Sequence, residues 1–593
     1  MCQLESGVVN SVGSPAIPAF GEGIGAGPKK LEVRERDLEI MNPQRSIAAV
    51  TAVVLVALAC LLPGVSLAQE PTYETTMGKS MPIYEESIQE DYRVKTRHGM
   101  IYGVVIRPVV PAGVKVPVIL TYSPYNALSR THNAESYRDE FTDYYVPRGY
   151  ARAVFDLVGT RESGGCYDYG GVRERKTGAA VVNHLGSRPW SNGKVGMIGV
   201  SYDGTTPWAA AVEAPRHLTT IVPQVGIGRW WDYTFGQGVR FYSGYGTPFL
   251  FDFGFGSLPP TDPSDPNAFA EAAQDHIRPC ERIEHNDRGF LPDPVYDEFW
   301  DERDYLARID NVRASVMIEG SWRDYNVHPI NSIEMWAALP DDHPKKLVMG
   351  QQGHGPSRLP DALNIRHAWF DYWLLGLDTG VMDLPRVDSD TGMQPLVRFQ
   401  DSEWPPVGTK VIDYSLTANS EANAFVLQDK DRASWIDEQP LLSEGMVLDG
   451  IAGNAAITFH SPVALSDRRI AGIPELDAWV VSSGESTFLT PILFDINESQ
   501  GSARVITRGL LNSRNRYSNR TSRPLIPGEA WRAHVFFQPI DWVLLKGHRL
   551  GLAIMSMNTN EALYPDDISS ANEILLDDRA RLLLPLNRDT SIP

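Results

Sequence analysis

The chain has 593 residues, of which 42% are hydrophobic and 10% aromatic, with 54 Lys and Arg against 74 Asp and Glu for a net charge of −20. That length exceeds one ordinary hydrophobic core and predicts two or three domains. The acid excess argues against nucleic acid and anionic membranes as partners, and with neither an H-E-x-x-H pattern nor a phosphate-binding loop no metal or cofactor is expected.

Residues 1–40 are rich in Gly and Pro and read as disordered, or as lying ahead of the true start. Met41–Ala68 has the layout of a secretory signal: a short basic stretch ending at Arg45, an apolar run from Ile47 to Leu62 broken by Pro63-Gly64, and Ser66-Leu67-Ala68 before Gln69. A membrane anchor is the alternative, although the apolar run is short for a span. Cys60 faintly resembles a lipidation site, but the apolar run continues past it. The expectation is a secreted or periplasmic protein with no stable membrane insertion once the signal is removed. Cys166 and Cys280 are then the cysteines of the mature chain, and export allows them to form a disulfide; the alternative is two buried thiols.

From residue 69 to 388 strands alternate with helical segments, which predicts a mainly parallel α/β sheet. Tyr92–Ile106 alternates polar and apolar positions around a turn at His98-Gly99. Val116–Tyr122, Tyr150–Leu157, Val195–Val200, Leu218–Val225, Ala314–Glu319 and Lys346–Gly350 are apolar runs of strand length. Lys176–Leu185 reads as a helix, and His367–Gly376 as an amphipathic helix with a glycine cap. Between 229 and 308 aromatic residues are dense, and the stretch is expected to be an inserted cap over a site. From 389 to 593 short strand-like runs recur between turn residues, among them Leu396–Phe399, Leu476–Val481 and Leu550–Ile554, which predicts an all-β sandwich.

Gly199-Val200-Ser201-Tyr202-Asp203-Gly204 follows the Val195–Val200 strand and precedes a helix-like stretch. A serine held between strand and helix among glycines is the nucleophile elbow of α/β-hydrolases, here with the second glycine one place later than in G-x-S-x-G. A serine hydroxyl is a weak nucleophile. It needs a base, and the base needs an orienting carboxylate. In this fold the order is Ser, acid, His. Asp324 follows the Ala314–Glu319 strand through a short loop, and His354 follows Lys346–Gly350 between Gly353 and Gly355. Ser201, Asp324 and His354 are therefore the candidate triad. The Tyr202 amide and the Tyr125 phenol, on the loop after an early strand, are the candidate oxyanion donors.

These residues carry a resemblance. Gly-Val-Ser-Tyr-Asp-Gly, the Ser123-Pro124-Tyr125 loop and the β-rich tail resemble the Xaa-Pro dipeptidyl-peptidase and cocaine esterase superfamily of serine hydrolases. Glu319-Gly-Ser-Trp-Arg-Asp324-Tyr-Asn-Val-His-Pro, Glu298–Leu306 and Gly226–Tyr233 look more like the bacterial Xaa-Pro dipeptidyl-peptidases. The resemblance implies an α/β-hydrolase domain followed by a C-terminal jelly roll, release of N-terminal Xaa-Pro dipeptides through an acyl-enzyme, and a proline pocket lined at Trp230 and Tyr233. The family's glutamate for the substrate ammonium has no clear counterpart here; Asp232 and Asp252 are the candidate acids. A cocaine-esterase-like hydrolase or an α-amino-acid ester hydrolase or acylase is the alternative reading, and a non-catalytic binding module is the alternative from another class. The expected partner is a small peptide or ester, with homo-oligomerisation left open.

Overall fold

The structure is a computed structural model that describes residues 80–128, 137–242, 294–392, 397–419, 421, 423–436, 443–450, 452–563 and 570–587. The signal at 41–68, residues 1–40, Asp252, Cys280 and the middle of the expected cap lie outside the described residues.

The apolar runs of the first half become strands of one sheet. In chain order these are β1 (Ser87–Thr96), β2 (Gly99–Pro108), β3 (Val116–Ser123), β4 (Ala151–Asp156), β5 (Ser191–Val200) and β6 (Leu218–Gln224). Two short strands follow, β7 (Phe235–Gly236) and β8 (Val239–Phe241), then β9 (Ser315–Ser321), β10 (Lys345–Gly350), β11 (Val387–Asp390) and β12 (Arg398–Asp401). The ten-stranded sheet runs β1-β2-β4-β3-β5-β6-β9-β10-β11-β12. It is parallel from β4 to β11, with antiparallel pairs at both edges.

Alternate residues of the central strands feed two separate cores, as the period of a strand requires. Leu120, Met197, Ile221, Ile318 and Leu347 pack on one face, against the helices Val172–Gly186 and Tyr202–Ala211. Ile119, Ile198, Val222, Met317 and Val348 pack on the other, against Trp369 and Phe370 of the helix Ala362–Phe370. Burial on both faces explains why these strands read as continuous apolar runs. The glycine cap expected at Gly376 is present, with φ 76°, after one wide helical turn over Asp371–Leu375.

One boundary differs from expectation. The β-sandwich was expected from residue 389, with Leu396–Phe399 as its first strand. Instead β11 pairs in parallel with β10, and Arg398–Asp401 returns antiparallel to β11 as the edge of the hydrolase sheet. A hairpin at a sheet edge lacks the intervening helix that marks a βα unit, so in sequence it looks like all-β structure. The β-rich domain begins at Lys410. It comprises fourteen described strands in a mostly antiparallel arrangement, closed over a core that includes Phe425, Trp435, Phe459, Trp531 and Leu552. The two halves are joined by a small sheet in which β8 pairs with Ala562–Leu563 of the second half.

Candidate active site

Val200 ends β5 and Tyr202 opens the next helix, which leaves Ser201 one residue in which to turn. Its backbone takes φ 65° and ψ −122°, a region costly for a residue with a Cβ. The tightness is visible at the flanking glycines. A Cβ on Gly199 would lie 2.3 Å from the Asp203 Cβ, and one on Gly204 would lie 2.3 Å from the carbonyl oxygen of Gln224. Both positions are therefore closed to larger residues, and the displaced second glycine serves the approach of the helix to β6.

The loops after β9 and β10 bring Asp324 and His354 to this serine. The Asp324 side chain is buried, and its Oδ1 accepts from the amides of Asn326 at 2.8 Å and Val327 at 3.0 Å. Its Oδ2 lies 2.8 Å from His354 Nδ1, and His354 Nε2 lies 2.8 Å from Ser201 Oγ. A carboxylate accepts only, so Nδ1 carries the proton, Nε2 accepts and the serine hydroxyl donates. Three residues separated by up to 153 positions thus form one continuous hydrogen-bonded chain, with His354 partly open to solvent.

Tyr125 opens a short helical turn just after β3. Its O–H donates to Ser201 Oγ at 3.2 Å, and the Tyr202 amide donates to the phenol oxygen at 3.2 Å. Burial, aided by the Asp203 charge, pushes the phenol up to about 12, so it stays a donor throughout the neutral range. Two donors and a nucleophile therefore meet at one point, as stabilisation of an oxyanion requires.

The expected pocket residues are placed less uniformly. Trp230 is wholly buried. Its Nε1 donates to the Tyr305 hydroxyl at 3.0 Å, and its ring packs on Tyr202 and Tyr169 at centroid distances of 5.2 and 4.4 Å. Tyr233 is 5.9 Å from Trp230, and its hydroxyl reaches Asn326 Oδ1 at 3.4 Å, in the turn that holds Asp324. Asp232 is committed elsewhere: its carboxylate lies 2.9 Å from Arg229, which also meets Glu334 and Asp304. Burial and then the Glu334 charge hold the Asp232 carboxyl well above the usual carboxylate range. Cys166 is disulfide-bonded, and its partner lies outside the described residues.

Two groups were missed in the sequence. Glu174, on the helix Val172–Gly186, accepts from the Tyr202 hydroxyl at 2.7 Å and the Gly170 amide at 2.9 Å. Burial, then the Asp168 charge, pushes its carboxyl up to about 8. Asp203 is pushed up to about 7 by burial; its side chain bonds Ser123, whose hydroxyl accepts from the Tyr125 amide at 3.0 Å. Asp203 stands beside the nucleophile, where its presence was legible and its burial was not.

The sequence profile of the X-Pro dipeptidyl-peptidase (S15 family) matches residues 101–356, and that of the X-Pro dipeptidyl-peptidase C-terminal non-catalytic domain matches 379–580. A putative Xaa-Pro dipeptidyl-peptidase of Bacillus anthracis is 28% identical over 546 residues, covering 83% of this chain and 87% of that protein. The Xaa-Pro dipeptidyl-peptidase of Lacticaseibacillus rhamnosus is 24% identical over 508 residues, 74% of this chain and 63% of that one. Among solved structures, an α-amino acid ester hydrolase superposes with a TM-score of 0.65 at 18% identity, over 88% of this chain and all of the other. A CocE/NonD family hydrolase of Staphylococcus aureus gives 0.66 at 16% identity, over 85% of this chain and 94% of that one. These structures share the fold, an α/β-hydrolase sheet followed by a β-rich domain. With the S15 profile lying on the first half and the C-terminal-domain profile of the same peptidases on the second, the chain belongs to the X-Pro dipeptidyl-peptidase (S15) family.

Proposed function

We propose that this protein is an Xaa-Pro dipeptidyl-peptidase that works through a seryl acyl-enzyme. The observation that carries the reading is the unbroken hydrogen-bonded chain from Asp324 through His354 to Ser201, with Tyr125 and the Tyr202 amide beside the nucleophile. In this reading His354 Nε2 takes the Ser201 proton as Oγ attacks the carbonyl carbon. Asp324 holds the imidazole in the required tautomer and stabilises its charged form. Tyr125 and the Tyr202 amide turn their donors onto the new oxyanion. His354 then gives its proton to the departing amine, and a water molecule, deprotonated by the same nitrogen, releases the dipeptide and restores Ser201.

The family supports proline as the residue before the cut; Tyr233, next to Asn326, is the proposed pocket wall, with the wholly buried Trp230 packed behind it against Tyr202. Around Arg229, Asp304 and Glu334 set two carboxylates against one guanidinium, beside the Asp232 carboxyl that burial holds well above the usual range. That excess of acid beside the proposed wall favours a substrate with a free ammonium. Export through the 41–68 signal belongs to the same proposal, and the disulfide at Cys166 supports an oxidising compartment.

Hydrolysis of Ala-Pro-p-nitroanilide, its N-acetylated form and p-nitrophenyl butyrate separates the readings. Cleavage of the free-amine peptide with loss of the acetylated one is the expected result. Ester cleavage without response to the free amine assigns the same site to an esterase, the reading favoured by the ester hydrolase among the structural neighbours.

A further inference from the structure

The turn that carries Asp324 does not stand on the hydrolase sheet alone. Asp324 is oriented by two amides of its own turn, those of Asn326 and Val327. The position of its carboxylate therefore follows the position of residues 324–328. The far end of that turn is held by the β-rich domain. His328 is buried, and its ring stacks on Phe241 at 3.7 Å between centroids. Among the described residues its side chain makes one hydrogen bond, from Nε2 to Glu561 Oε2 at 3.2 Å.

Glu561 is itself fixed from three sides. Its carbonyl accepts from the Tyr242 amide at 2.8 Å, next to the β8 pairing of Ala562. Its Oε1 lies 3.2 Å from Arg508 Nε. Arg508 is in turn clamped by both carboxylate oxygens of Glu444, with Nη2 to Oε2 at 2.5 Å. The Arg508 guanidinium also lies 4.0 Å above the Tyr325 ring, the residue directly after Asp324. The loop carrying His354 is tied to the same domain, since Gln351 Nε2 donates to the Asp541 carbonyl at 2.8 Å.

We propose that Glu561, with Arg508 behind it, is a positioning residue of the hydrolytic site: it grips His328 and so sets where the Asp324 carboxylate meets His354. The C-terminal domain, described in the family as non-catalytic, thereby completes the geometry of the site. This rests on the serine-hydrolase reading above. The physical case is that a buried, hydrogen-bonded contact fixes the end of the turn, while a misplacement of about 1 Å in a reacting constellation costs on the order of 100-fold in rate.

The test is the rate at which a fluorophosphonate inactivates Ser201 in the full chain, together with kcat and KM on Ala-Pro-p-nitroanilide per titrated serine. Four proteins are compared: wild type, Glu561→Ala, Glu561→Gln and Ile554→Val. Ile554 lies in the β-domain core and serves as a control that lowers stability without touching the turn. Glu561→Ala is expected to lower both the inactivation rate and kcat per titrated serine by 10-fold or more, with KM within about twofold. Glu561→Gln, which still accepts from His328, is expected to recover most of that loss. Ile554→Val is expected to shift only the melting temperature. If Glu561→Ala matches wild type per titrated serine, or loses no more rate than Ile554→Val at equal loss of stability, the inference is overturned while the hydrolase reading stands. If the wild type itself fails to label at Ser201, both fall.

Discussion

Tyr125→Phe removes one oxygen atom from the site and nothing from the core. In the resting structure that oxygen donates to Ser201 Oγ and accepts from the Tyr202 amide, each at 3.2 Å. During attack the phenol and the amide are the two donors placed to meet the oxyanion, so the substitution halves that set. Loss of one such donor costs about 2.7–4 kcal/mol of transition-state stabilisation, or roughly 100- to 1,000-fold in kcat. The ground state changes less. The Tyr202 amide loses an acceptor at a partly exposed position, where water takes its place, at a stability cost below about 1.5 kcal/mol. Steady-state kinetics with urea unfolding on the same preparation reads both quantities. The reasoning is refuted if kcat falls less than about fivefold, or if it falls only in proportion to lost folded protein. The phenol is held up at about 12, so the residual pH profile of the wild type should show no alkaline limb from this group below that value.

Three further predictions concern the scaffold under the site. Glu174 keeps its proton up to about pH 8 in the folded chain, against an ordinary value of 4.5. The native state therefore binds a proton that the unfolded chain has lost, so this contribution is complete below pH 4.5 and is lost as pH rises through 8. Glu174→Gln should flatten the fall in unfolding free energy between pH 5 and 8, by up to roughly 4 kcal/mol; parallel curves for variant and wild type would refute this. Arg366→Met strips the buried Glu319 of the guanidinium that binds it at 2.8 Å on both oxygens, and urea unfolding should show about 3–5 kcal/mol of destabilisation; a change under 1 kcal/mol would contradict it. Gly204→Ala places a methyl group 2.3 Å from the Gln224 carbonyl oxygen, so soluble, fluorophosphonate-reactive protein should be nearly lost; a normal yield of labelled protein would count against the elbow geometry.

The placement of Ser201, Asp324 and His354 was legible because each sits where an element ends: Ser201 after β5, Asp324 after β9 and His354 after β10, with glycine or a short loop to free it. Residue type, chain order and apolar runs are local signals, and they point to the three residues that the structure joins by hydrogen bonds. Asp232 shows the limit of that approach. Its acid was visible, but its partner Arg229, three residues earlier, had to be read as well, and an R-x-x-D pair on one helical turn was there to be found. The pairing of the β11 and β12 hairpin with the hydrolase sheet was not legible, because strand pairing across a sheet leaves no local mark. The same holds for Glu174 under Tyr202 and for Glu561 against His328, contacts between residues 28 and 233 positions apart.

The most direct test of the central claim is to trap the intermediate. The enzyme is mixed with Ala-Pro p-nitrophenyl ester, quenched in acid within the first turnover, digested and mapped by mass spectrometry. The account predicts an Ala-Pro acyl group on the peptide containing Ser201, absent from the Ser201→Ala protein and discharged by water on longer incubation. Turnover of the ester with no adduct on that peptide, or with the adduct on another residue, would contradict it.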